Sequence, residues 1–114
     1  MILTETQTVK FKTNDEEFTH TFSLPKLDRV AMKQFADAAK RANGDQAKAQ
    51  QLMMESGADG LEPIYDESIV STTGYELETG KFSVKKHKHL IPIMHKIQSV
   101  SAIIADRFGG IEKN

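Results

Sequence analysis

The chain has 114 residues, enough for one domain with a modest core and no covalent staples. With 27% charged and 39% apolar residues and a net charge of -1, the composition excludes wholesale disorder and any global field for nucleic acid or anionic membrane. The absence of cysteine removes disulfides, thiolate metal sites and cysteine nucleophiles, and it fits a reducing compartment.

The opening stretch MILTETQTVKFK carries neither the basic nor the apolar region of a secretory signal. Nowhere does an apolar run reach the roughly 20 residues needed to span a bilayer, so a cytoplasmic protein with no membrane partner is expected. Val9 and Phe11 alternate with lysines, which predicts a first strand over about Leu3 to Lys12. Thr13-Asn14-Asp15-Glu16 is a polar turn. Phe18, His20, Phe22 and Leu24 alternate with Thr and Ser, giving a second strand over about Phe18 to Leu24. A lone hairpin is marginal in water, so its Phe face needs a helical cover.

Pro25 marks the corner where the period changes. Leu27, Ala31, Phe35, Ala38 and Ala42 recur at helical spacing, which predicts a helix over about Asp28 to Ala42, stopped by Asn43-Gly44. Asp45 suits the N-cap of a second helix over Gln46 to Ser56, with Ala49, Leu52 and Met53 on its apolar face and Gly57 at its end. Leu61, Ile64, Tyr65 and Ile69 suit a short helix starting near Pro63. Ser71 to Lys81 reads as loop, with a small hairpin left open in which Tyr75 and Leu77 face Phe82 and Val84. From Pro92 to Phe108, Ile93, Ile97, Val100, Ile104 and Phe108, joined by Met94 and Ile103, predict a deeply packed last helix that Gly109-Gly110 stops. The expected fold class is α+β: an N-terminal antiparallel β-hairpin, about 3–24, packed on three to four helices, about 27–108, in a single domain 1–114 with a tail at 109–114.

Catalytic chemistry finds no support, and no cofactor is expected. The chain has no GxSxG elbow, no GxxxxGK[ST] or GxGxxG phosphate loop and no HExxH pair. Asp15-Glu16-Glu17 and Asp66-Glu67 read as solvated carboxylates. Lys85-Lys86-His87-Lys88-His89 is the sharpest charged feature, able to meet phosphates or a partner's carboxylates. A solvated lead-in to the last helix is the favoured reading, because no aromatic residue interleaves for base stacking. His87, His89 and His95 resemble an open metal site only loosely, and no metal site is assigned. His20, on the apolar face of the second strand, reads as a core or rim histidine. Met32, Met53, Met54 and Met94 lie on or beside helix faces and serve either as core or as adaptable binding surface. Met53 and Met54 cannot both face one core, so one of them beside Leu52 is expected to be exposed.

The order of these elements resembles the small tail assembly chaperones of long-tailed, siphovirus-like bacteriophages and prophages. The resemblance rests on Phe22-Ser23-Leu24-Pro25-Lys26-Leu27-Asp28-Arg29, the helix that follows, and Ala49-Gln50-Gln51-Leu52-Met53-Met54. It covers roughly residues 18 to 70, contains no diagnostic motif, and leaves Ser71 to Lys81 and the last helix unplaced. It implies a non-enzymatic chaperone in the host cytoplasm that binds the tape-measure protein or tail-tube subunits through apolar helix faces with a charged rim. Arg29, Lys33, Leu52, Met53 and Met54 are the partner-binding residues it suggests. The alternative is a small nucleic-acid-associated or inhibitor protein that uses Lys85 to His89, although nucleic acid is disfavoured as a partner. Assembly into a homo-oligomer is left open.

Overall fold

Two left-handed residues set the start of the fold. In the computed structural model, which describes residues 3–45, 47–48, 51–52 and 58–108, Asn14 and Asp15 adopt φ 51 and 65. Two consecutive positive φ values make the tight turn whose twist matches that of the flanking strands, and Asn and Asp tolerate them best after Gly. Strand β1 (Thr6–Thr13) therefore pairs directly with β2 (Glu16–Ser23), with Thr13 opposite Glu16, Phe11 opposite Phe18 and Val9 opposite His20. The period of two buries Phe18, His20 and Phe22 and leaves Thr19, Thr21 and Ser23 half-buried.

Helix α1 (Leu24–Arg41) begins on the residue after β2, four positions before the expected Asp28. Pro25 explains the early start, since its fixed φ suits a first helical turn and its missing N–H has no intrahelical acceptor to lose. The Leu24 N–H donates back to the Glu5 carbonyl at 2.8 Å, which ties the helix start to the hairpin. Leu24, Leu27, Ala31 and Ala38 form its buried stripe. Its C-terminus closes as expected, with Asn43 and Gly44 at φ 55 and 86 and the Gly44 N–H on the Ala39 carbonyl. Asp45 Oδ1 accepts the Lys48 N–H at 3.1 Å, and residues 47–48 and 51–52 are helical. The rest of the helix expected over Gln46 to Ser56 lies outside the described residues.

Helix α2 (Ala58–Ser68) starts before Pro63, which sits inside it and not at its first turn. Its stripe of Leu61, Ile64, Tyr65 and Ser68 is fully buried between α1 and the last helix. The chain then runs straight into β3 (Ile69–Thr73), which adds to β2 antiparallel and completes a three-stranded sheet in the order β1-β2-β3. This strand corrects the reading of residues 27–108 as helical and of Ser71 to Lys81 as loop. Four of its five residues, Ile69, Val70, Thr72 and Thr73, are β-branched, and pairing along β2 supplies the hydrogen bonds that a lone polar segment lacks. Thr19 and Thr73 hydroxyls meet across the pair at 2.6 Å.

The hairpin considered beyond β3 shrinks to one bridge between Leu77 and Gly80. Tyr75 and Phe82 do meet, with ring centroids 5.5 Å apart, but Val84 opens the one-turn helix α3 (Val84–His87) and is not part of a strand. A 3-10 turn (Lys88–Leu90) leads through Pro92 into α4 (Ile93–Phe108). Val100, Ile103 and Ile104 of α4 are buried as expected, whereas Ile93 and Met94 at its start are 39% and 65% exposed. The apolar period thus continues one turn beyond the core it fills. Arg107 near the end of α4 donates to both oxygens of Asp28, with Nε at 2.8 Å from Oδ1, and closes the helical layer onto the first turns of α1. The protein is α+β, with helices on one face of the sheet. Among the described residues, no helix is long and apolar enough to cross a membrane.

Candidate functional site

Four elements send one side chain each to a common line behind the sheet. β2 supplies His20, which is wholly buried. α2 supplies Tyr65, the segment after β3 supplies Tyr75, and α4 supplies His95. Nδ1 of His20 lies 2.8 Å from the Tyr65 hydroxyl, Nε2 of His20 lies 2.8 Å from the Tyr75 hydroxyl, and the same Tyr75 oxygen lies 2.8 Å from Nδ1 of His95.

Three hydrogen bonds need three protons, and the donor inventory of the groups favours one direction. If Tyr65 donates to His20, Nε2–H of His20 donates to Tyr75, and Tyr75 donates to His95, every hydroxyl proton in the row is used. Reversing the row leaves the Tyr65 proton without an acceptor in it. The satisfied direction places the His95 proton on Nε2, away from Tyr75. Burial, then the neighbouring His95, holds His20 down to about 4. Burial likewise lowers His95 and raises both Tyr65 and Tyr75. All four groups are therefore neutral at neutral pH. The row works as a tie between elements and not as an acid and base poised near pH 7.

The row lies inside a larger set of rings. Phe11 stacks on His20 at 5.4 Å and meets His95 edge-on at 5.3 Å. Phe18 packs on Tyr75 at 4.8 Å, Phe22 on Tyr65 at 5.5 Å, and Phe82 bridges Tyr75 to His87. Gly74 makes this approach possible. At φ +97 it passes so close to β2 that a Cβ there would sit 2.5 Å from the Glu17 carbonyl oxygen and 2.8 Å from Phe18 Cδ1.

A second buried polar group adjoins the first through Tyr65. Lys96 of α4, 3% exposed, donates to Glu62 Oε2 and Asp66 Oδ1, both at 3.0 Å. Its ammonium lies 5.5 Å above the centre of the Tyr65 ring. Burial opposes the charge on Lys96, but the two carboxylate hydrogen bonds outweigh it and hold the ammonium above its usual range. Lys88 donates to the Asp66 carbonyl at 2.7 Å.

The residues singled out from sequence fall in three places. Arg29 and Lys33 are exposed on the outer face of α1, with Met32 (58% exposed) between them. Leu52 is half-buried and packs on the core, so it is no free ridge, while Met53 and Met54 lie outside the described residues. The basic segment splits in two. His87 turns inward, its Nδ1 accepting the Ser83 N–H at 3.1 Å, and Lys88 turns to Asp66, whereas Lys85, Lys86 and His89 face solvent. With His87 and His95 both committed through Nδ1 and His89 outside, the three histidines do not converge. Among the described residues no group of three or more His, Asp or Glu side chains is placed to hold a metal ion.

Sequence reasoning did not single out Tyr65, Tyr75 or Lys96 for these roles. A signal existed for Lys96, which sits four residues before Val100 on the buried stripe of an amphipathic helix, while Glu62 and Asp66 are spaced four apart on another. No protein-family model, no curated protein and no solved structure matches the chain.

Proposed function

We propose that this chain is a non-enzymatic tail assembly chaperone of a long-tailed phage or prophage, acting in the host cytoplasm on the tape-measure protein or tail-tube subunits. One observation supports this reading above the others. The outer face of α1 presents Met32 between two exposed cations, Arg29 and Lys33, at the i, i+3, i+4 spacing with which a helix meets a helical partner. A flexible thioether flanked by positive charge suits a long helical protein whose apolar faces carry acidic rims. The neutral buried row favours the same reading, because its burial drives the titrations of its members away from neutral pH. The inward turn of His87 and Lys88 weighs against a continuous phosphate-binding segment over Lys85 to His89.

Co-expression with the tape-measure protein of the same phage or prophage tests the reading. Co-purification is expected, and Arg29→Glu with Met32→Ser and Lys33→Glu is expected to abolish it while far-ultraviolet circular dichroism stays unchanged. A tape-measure protein that never co-purifies with the wild-type chain overturns it.

A further inference from the structure

A second exposed face lies at the opposite end of α4. Val84 and Ile91 are buried, and His87 and Lys88 turn inward with them. The same winding throws Lys85, Lys86, His89 and Leu90 outward. Beyond Pro92 the chain exposes Ile93 and Met94 as well. Leu90, Ile93 and Met94 are 56%, 39% and 65% exposed, three of the six large apolar side chains so exposed among the described residues. They fall within the five positions 90–94, a few residues after the outward Lys85 and Lys86. A cluster of this kind on an otherwise ordinary surface marks an interaction site more often than chance exposure.

We infer that this corner, residues 85–94, is a docking ledge for a protein segment carrying apolar side chains beside carboxylates. The inference rests on the reading of the chain as a binding protein but uses a face that reading does not. Charge selects the occupant, since the exposed Lys85 and Lys86 precede the apolar step on the same short segment and call for negative charge opposite. The apolar step argues against nucleic acid, because aliphatic side chains gain nothing from phosphates. The nearby rings that could stack on bases, Phe82 and His87, are already packed on one another, and Phe82 also on Tyr75. Two lysines and three aliphatic side chains also fall short of the two strong signals that stable membrane anchoring takes. The ledge is tied to the body from behind. The Ser83 N–H caps onto His87, Lys88 is bonded to the Asp66 carbonyl, and the Pro92 carbonyl accepts the His95 and Lys96 N–H groups. A preformed surface loses little conformational entropy on binding. The ledge is also separate from the α1 face. Arg107 bonds Asp28 beside Arg29, and from Arg107 back to Ile93 the helix axis runs roughly 20 Å at about 1.5 Å per residue.

Fluorescence anisotropy tests the ledge with a labelled amphipathic peptide of alternating Leu and Glu faces, its Gln-for-Glu counterpart, a DNA duplex and phosphatidylserine vesicles. The full chain should bind the acidic peptide with a Kd on the order of micromolar and the Gln peptide about tenfold more weakly. Lys85→Glu with Lys86→Glu, and separately Leu90→Ser with Met94→Ser, should each weaken the acidic peptide by about tenfold or more. All four side chains are exposed, so both variants should melt like the wild type. Unchanged peptide binding in both variants, or tighter binding of the duplex or the vesicles than of the peptide, overturns the inference. The two readings fail separately. Loss of tape-measure co-purification with peptide binding retained removes the chaperone assignment and leaves the ledge. Intact co-purification with peptide binding indifferent to both variants removes only the ledge.

Discussion

The interior contains two buried polar groups that share the Tyr65 ring and solve the same problem in opposite ways. Around His20, burial is made tolerable by neutrality. Two tyrosines stay protonated, two imidazoles stay uncharged, and each hydroxyl proton has an acceptor. Around Lys96, burial is made tolerable by pairing, since two carboxylates hold the charge on the ammonium against its desolvation. The exposures of the partners differ too. Glu62 and Asp66 are each more than a third exposed, whereas Tyr65 and His20 have no exposure at all. The difference teaches which member of each group is critical. In the charged group it is the carboxylate pair, whose loss strands a buried ammonium, and in the neutral group no single member can be removed without stranding a neighbour.

The largest test breaks the charged group from its exposed side. Glu62→Gln together with Asp66→Asn leaves the Lys96 ammonium buried and unpaired, and urea denaturation should show a loss of about 3–5 kcal/mol. Lys96→Met should cost less than about 1.5 kcal/mol, because the two carboxylates can rehydrate where they stand. If the order of these two results is inverted, the carboxylates are not what makes the buried ammonium tolerable.

Acid separates the groups next. The unfolded-chain imidazole of His20 titrates near 6.5 and the folded one near 4, so between those values the unfolded state binds more protons and stability falls as pH falls. At about 1.4 kcal/mol per pKa unit the loss approaches about 3 kcal/mol at the acid end, and His95 adds to it in the same direction. His20→Gln should flatten that part of the curve. The charged group has the opposite window. Lys96 is raised above 10.5, so its contribution is complete below that value and disappears as pH climbs through the folded one.

Two smaller changes sharpen the picture of the neutral group. Gly74→Ala combines a φ of +97 with a Cβ 2.5 Å from the Glu17 oxygen, and thermal unfolding should report a loss of about 2 kcal/mol or more. Tyr75→Phe leaves one nitrogen each of His20 and His95 without its partner and should cost about 1–2 kcal/mol. A neutral result for Tyr75→Phe would mean that water replaces the hydroxyl.

Local signals made much of this fold legible. Alternation in Phe18-His20-Phe22, the Pro25 corner, the Asn43-Gly44 stop and the long period of the last helix each report on neighbours within a few positions. What escaped depends on partners far along the chain. β3 is a strand because β2 offers it an edge, and its Ser-Thr-Thr segment has no apolar alternation of its own. The Tyr–His row joins positions 20, 65, 75 and 95, and no local pattern can place two hydroxyls on the two nitrogens of one ring. The exposed start of α4 escaped for a related reason. A helical period shows which side is apolar but not where the protein covering that side ends, so Ile93 reads as core and Met94 as core or binding surface alike.

The neutral row has an optical consequence. Tyr65 and Tyr75 are the only tyrosines of a chain that has no tryptophan. Absorbance near 280 nm and the fluorescence it excites therefore arise almost entirely from two phenols that share His20 between them. A change in that signal during a melt, a pH jump or partner binding reports the parting of β2, α2 and the segment after β3. Movement confined to the outer face of α1 stays dark. The protein thus carries a probe at its own interior junction, and local opening there can be followed without attaching a dye.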